Sequence, residues 1–169
     1  MKLAPVALAF VTLAGTAWAQ QPLVTEGMVA APLDSVWNAF TTTAGLESWM
    51  AAHASFELRI GGLMQAVYSP TARLGDPSTI ENTILSYEPK RMLTIRVSKP
   101  PAGFPFPNAI LRMWTVIYFE PVGANRTRVR EVSMGFGPDE ESTQMRQFFE
   151  RGNTMTMTAL QKRFAALAQ

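Results

Sequence analysis

Hydrophobic positions recur along this chain at two spacings, and the points where the spacing changes mark out its elements. Leu23 to Val29 reads as a strand, broken by Ala31-Pro32. Val36, Trp37 and Phe40 then fall on one helical face, with Asp34 or Ser35 placed to cap the helix. Thr41-Thr42-Thr43 interrupts, and Ala44 to Met50 predicts a second short helix. From Ala54 the spacing becomes two. Ala54, Phe56 and Leu58 alternate with polar neighbours, Gly61-Gly62 turns the chain, and Met64, Ala66 and Tyr68 continue in the next strand. Ser69 to Pro77 is a loop. Thr79 to Tyr87 predicts a strand ended by Glu88-Pro89, and Leu93, Ile95 and Val97 alternate in its successor. Lys99 to Asn108, with four prolines and two phenylalanines, excludes regular structure. Ile110 to Phe119 predicts a long apolar strand, turned by Pro121 to Asn125 into another over Thr127 to Phe136. From Asp139 the pattern is helical: Met145, Phe148, Phe149, Gly152, Met155, Thr156, Ala159, Leu160, Phe164 and Leu167 lie three and four apart. Asp139-Glu140-Glu141 suits the positive end of that helix's dipole.

The order is therefore strand, two short helices, six strands, one long helix: an α+β chain. A sheet with one apolar face and a helix with an apolar stripe bury those surfaces against each other. The expected result is a curved antiparallel sheet wrapped around the C-terminal helix. The first nineteen residues stand apart. Lys2 precedes a run from Leu3 to Ala14 that is apolar apart from Thr12, and Ala17-Trp18-Ala19 has the small-x-small form of a signal-peptidase site. The run is shorter than the roughly 20 apolar residues that span a bilayer. Residues 1–19 are thus expected to be a cleaved signal peptide and 20–169 a single domain, periplasmic or secreted.

Composition narrows the chemistry. The chain is 47% hydrophobic and 17% charged, with a net charge of +2 that becomes +1 once Lys2 leaves with the signal. That field is too weak to point to nucleic acid. With no cysteine and one histidine, disulfides, thiolate catalysis and multi-histidine metal sites are excluded. No Gly-x-Ser-x-Gly, phosphate-binding glycine loop or dinucleotide fingerprint occurs, and nothing points to a cofactor or a metal.

Pro32, Val36-Trp37, Ala39-Phe40-Thr41, Leu46, Trp49, Ala54, Phe56 and Gly61-Gly62 together resemble the AHSA1-like (activator of Hsp90 ATPase homologue-like) family of the START/Bet v 1-like SRPBCC superfamily. Tyr87 to Leu93 resembles the family's strand-turn-strand element, and Gly123, Thr127 and Gly135-Phe136 its last hairpin. The resemblance covers nearly all of residues 23–167. It implies a helix-grip fold with an apolar cavity between the sheet and the long helix. Members often carry Gly-Trp in the last helix, where this chain has Gly152-Asn153, a change that widens or polarises such a cavity. The activation of a cytosolic chaperone ATPase that names the family is not carried over, because an exported protein would not meet that partner.

In the cavity that the resemblance implies, the expected ligand-binding residues are Trp49, Phe56, Met64, Tyr68 and Ile95, together with Met113, Glu131, Met145, Phe149 and Asn153. Glu131 carries two readings. Sharing the parity of Val129 and Ser133, it faces the cavity as a desolvated acid, a ligand anchor or acid–base group; after a one-residue bulge it would be a surface glutamate. His53, at the start of the first hairpin strand, is a candidate base at the pocket mouth or an inert junction residue. Arg126, Arg128 and Arg130 share one strand face, read as the wet side of the sheet, and Asn125-Arg126-Thr127 is a sequon that also suits a turn. Phe104 and Phe106, among prolines, form a stiff apolar loop that serves as a lid, a partner surface or core cover.

These observations favour a protein that binds a small hydrophobic molecule. Two alternatives stand beside it. One is a cyclase- or hydratase-like enzyme with Glu131 or His53 moving a proton in the cavity. The other is an interaction module using the Phe104–Phe106 loop and the outer sheet face. Trp114, Val116 and Tyr118 alternate with apolar residues of the other parity, which suits a homodimer or partner contact.

Overall fold

The computed structural model describes residues 21–166; the expected signal peptide and Leu167 lie outside the described residues. The described residues form β1 (Leu23–Val29), α1 (Leu33–Thr41), α2 (Thr43–Glu47), β2 (His53–Phe56), β3 (Leu63–Val67), β4 (Ile80–Glu88), β5 (Met92–Lys99), β6 (Trp114–Pro121), β7 (Thr127–Met134) and α3 (Glu140–Ala165). The strands make one antiparallel sheet in the order β1-β7-β6-β5-β4-β3-β2, curved around α3. This is the helix-grip architecture expected from the sequence. Among the described residues no helix is long and apolar enough to cross a membrane.

Local chemistry sets several boundaries differently from the sequence pattern. Pro32 occupies the N-cap of α1, so Asp34 and Ser35 fall inside its first turn and neither caps it. Asp34 instead pairs with Lys90 Nζ at 2.9 Å. Thr42 caps α2, its Oγ1 accepting from the Gly45 N–H at 2.9 Å, and α2 stops at Glu47 rather than reaching Met50. The run from Ile110 is not all strand. Ile110–Arg112 forms a 3-10 turn and β6 begins at Trp114, a distinction that an unbroken apolar run does not encode.

Pairing of β6 with β7 runs without interruption from Trp114 opposite Met134 to Pro121 opposite Thr127. Strand β7 therefore keeps strict alternation: Val129, Glu131 and Ser133 are buried on the α3 side, while Arg128 and Arg130 face outward. The sheet's irregularities lie in β4, between Glu81 and Asn82 and between Ile84 and Ser86.

Two features set where α3 lies. Its N-terminus is held by Asp139, whose Oδ1 accepts from the Ser142 N–H at 2.9 Å while its Oδ2 meets Arg112 Nη2 at 2.7 Å. Farther along, a Cβ added at Gly27 of β1 would stand 2.6 Å from Met157 Cγ and Sδ, so the missing side chain lets the helix lie close to the sheet. The core-facing stripe of α3 runs through Met145, Phe149, Asn153, Met157, Leu160 and Phe164. Met155, expected on that stripe, is 74% exposed: it lies about 200° around the helix from Asn153. At this end the interior is solid, with Trp37, Phe40 and Phe119 in edge-to-face contact at 5.2–5.3 Å.

Candidate functional site

Between the middle of α3 and the concave face of the sheet the packing opens into a cavity of about 180 Å³. Its walls are mostly apolar. Phe40 comes from α1, Trp49 and Met50 from the turn after α2, and Met64 and Ala66 from β3. The central strands add Ile80, Leu93, Ile95, Val97, Met113 and Ile117 near or within β4, β5 and β6, and α3 closes the space with Phe149, Asn153 and Thr156. Trp49 is held in place by its indole N–H, which donates to the Ala39 carbonyl at 3.0 Å, and by the Phe40 ring at 5.0 Å. Tyr68, 63% exposed, marks the open side.

Polar side chains share this mostly apolar space: Thr115, Asn153, Thr156 and the exposed Arg96 line it beside two that are buried. Glu131 is 8% exposed and Asn82 is 7% exposed. Both line the cavity, and no hydrogen bond or ion pair engages the Glu131 carboxylate among the described residues. Among the described residues no side-chain oxygen or nitrogen that is fully shut in lacks a partner, so the polar atoms of Glu131 open onto the cavity itself. Burial alone pushes the Glu131 carboxyl up to about 7. Its cross-strand neighbours, Thr25 and Ile117, bring no positive charge. Ser133, next along the same face, is engaged with Thr115, their hydroxyls 3.0 Å apart.

Trp49, Met64, Tyr68, Ile95, Met113, Glu131, Phe149 and Asn153 are thus brought together around one space. Two other expected lining residues are not. Phe56 packs between the α1 end of the core and the cluster around Leu46, and Met145, fully buried, belongs to the core beside Ile110 and Phe136. Both have the right facing but lie beyond the cavity's ends. Phe104 and Phe106 do not cover the cavity either. Their rings stack edge-to-face at 5.7 Å and each meets Phe148 at 5.8 Å, making them core cover for the Met145 region. Glu141 Oε1 pins that loop to α3 by accepting from the N–H groups of Asn108 and Ala109 at 2.9 and 3.0 Å. Those bonds, led by the one from Ala109, lower the Glu141 pKa.

His53 is exposed and faces away from the cavity. Its Nε2 lies 3.3 Å from the Pro70 carbonyl oxygen, in a shallow depression with Glu47 and residues 70–74. Odd-even alternation is the reason: Ala54 points in, so His53 points out. Among the lining residues that sequence reasoning missed, which include Phe40, Met50 and Thr156, Asn82 is the buried polar one. Its signal was a polar side chain at an inward position between Ile80 and Ile84. Among the described residues no group of acidic or histidine side chains is arranged to hold a metal.

Comparison with known proteins places this geometry. Protein MLL2253 from Mesorhizobium loti superposes with a TM-score of 0.68 at 17% identity, over 86% of this chain and 98% of that one. Protein NE0264 from Nitrosomonas europaea gives 0.65 at 19% identity, over 88% and 96%. The Aha1 dimer from Colwellia psychrerythraea gives 0.62 at 12% identity, over 86% and 96%. At these identities the likeness is one of fold. No curated protein matches. The model of the family described as Activator of Hsp90 ATPase homolog 1-like protein matches residues 30–165, most of the folded chain, and this protein belongs to that family.

Proposed function

We propose that this protein is an exported carrier or receptor that holds a small hydrophobic molecule between its sheet and α3. One observation carries the reading: an apolar cavity of about 180 Å³ lined by two buried polar side chains, Glu131 and Asn82, that no protein hydrogen bond engages among the described residues. Such a space gains free energy when an apolar body displaces its water, on the order of 25 cal/mol per Å². The polar groups then orient what enters. Holding is favoured over proton transfer because Glu131 is the one carboxylate among the lining residues and His53 lies elsewhere. Export rests on the pattern of residues 1–19.

Native mass spectrometry on protein purified without detergent tests the reading. The expected result is a co-purifying mass, or uptake of an apolar fluorescent probe, that is lost in Phe149→Asp. A clean unliganded mass with no probe uptake would overturn it. Expression with the leader in a Gram-negative host should give a periplasmic product beginning at Gln20; a product retaining Met1 in the cytoplasm counts against export.

A second reading concerns self-association. The outer face exposes Val24, Met28 and Tyr118, and the Colwellia psychrerythraea relative is described as a dimer. Sedimentation at micromolar concentration, with Tyr118→Glu as the disrupting variant, separates a dimer from a monomer.

A further inference from the structure

Among the described residues no hydrogen bond or ion pair engages the Glu131 carboxylate in the cavity; Arg96, the one cation among the lining residues, is exposed and does not pair with it. We infer that the cavity's ligand is a small amine, a single ring or its equivalent in size carrying an ammonium group that pairs with Glu131. This rests on the reading of the cavity as a ligand site and names the chemistry of what it takes.

Size sets the first limit. A cavity of roughly 150 Å³ lined by aliphatic and aromatic side chains accepts benzene. At about 180 Å³ this one has room for a ring plus a short arm, and a longer body would have to extend past Tyr68 on its open side. Charge sets the second. Glu131 is more than nine-tenths buried, and the residues paired with it across β1 and β6 are Thr25 and Ile117. A buried carboxylate needs both an opposite charge and hydrogen-bond donors. An ammonium brings both at once, whereas an alcohol brings one donor and no charge, and a carboxylic acid brings repulsion. The walls suit a cation as well, because Phe40, Trp49 and Phe149 contribute aromatic rings to the same space. Asn82 supplies a second buried polar contact for a substituent on the ring or arm. Burial that raises the Glu131 carboxyl to about 7 agrees with this, since its ionised form lacks a compensating partner among the described residues.

Calorimetric titration of the purified protein at pH 8 with benzylamine, benzyl alcohol, toluene and benzoate tests the inference. Benzylamine should bind at least about tenfold tighter than benzyl alcohol, the scale of a charge-assisted contact over a neutral one. Benzoate should not bind. In Glu131→Gln the advantage of the amine should vanish while toluene still binds, which also shows that the variant has kept its cavity. Equal affinity for benzylamine and benzyl alcohol, or an amine preference that survives in Glu131→Gln, overturns the inference and leaves the cavity a site for neutral molecules. If none of the four binds, the ligand-site reading falls with it.

Discussion

The two faces of β7 treat charge in opposite ways. Outside, Arg128 reaches Glu120 at 2.9 Å and Glu26 at 3.4 Å, while Arg130 lies 3.9 Å from Glu26 and over the Tyr118 ring. Inside, Glu131 directly follows Arg130 in sequence, and among the described residues no partner engages its carboxylate. Water would stabilise the outer charges without help, so their pairs add little. The inner charge, cut off from water, is the one for which a partner matters most. A fold selected for stability alone has no use for such an arrangement, which makes the inner face of β7 the place to look for function.

The solid end of the same concave face gives the largest expected effect. Phe119 follows Glu131's cross-strand neighbour Ile117 on β6 and contacts both Trp37 and Phe40. Phe119→Ala should cost about 3–5 kcal/mol in urea unfolding, as for large-to-small changes in a packed core. A loss under 1 kcal/mol would mean that this end is as loose as the cavity.

Glu131→Gln comes next, with the opposite sign. The carboxyl is raised from 4.5 to about 7 by folding, so its proton is held more tightly in the folded state. Its contribution to stability is present in full below about pH 4.5 and is lost as pH rises through about 7. That loss amounts to about 3 kcal/mol. Unliganded Glu131→Gln should therefore be the more stable protein at pH 8, by up to about 3 kcal/mol relative to its standing at pH 5. Denaturation curves at the two pH values check it, and a constant difference would show that Glu131 titrates normally. Asp139 and Glu141 do not blur the comparison. Hydrogen bonds lower both pKa values, from 3.8 and 4.5, so their contribution is lost only as pH falls below that window.

Gly27→Ala probes the spacing between face and helix. The new Cβ must push Met157 aside, at a cost of about 1–3 kcal/mol. An unchanged unfolding midpoint would show that Met157 moves freely. The smallest effect belongs to the outer face: Arg128→Ala should cost under about 1 kcal/mol, less still in high salt. A larger, salt-insensitive loss would mean that this face is covered by another molecule.

How far the sequence could be read differs from strand to strand. In β7 the alternation of Val129, Glu131 and Ser133 gave the correct facing because β6 pairs with it in unbroken register. In β4 the same reading stops working. The irregularity between Ile84 and Ser86 leaves Ile84 and Tyr87 both against the core, three residues apart, and no residue type there announces it. The bulge weighed for β7 is in β4. Facing also proved separable from location. Phe56 and Met145 point inward yet pack beyond the cavity's ends, and the half-buried Phe104 and buried Phe106 do not cover it. Asn82 was within reach of the pattern, as a polar residue at an inward strand position.

Element order, the helix-grip class and the inward facing of most strand residues follow from the sequence alone. They depend on the spacing of neighbouring side chains, which is a local property of the backbone. The cavity does not. It exists because the α1 end closes on large rings, Gly27 lets α3 approach β1, and the side chains between them do not fill the space that the curved sheet leaves. These are relations between residues far apart in the chain, set only when the elements pack. The carboxylate is written in the sequence as Glu131; that none of the described residues pairs with it is a property of the fold.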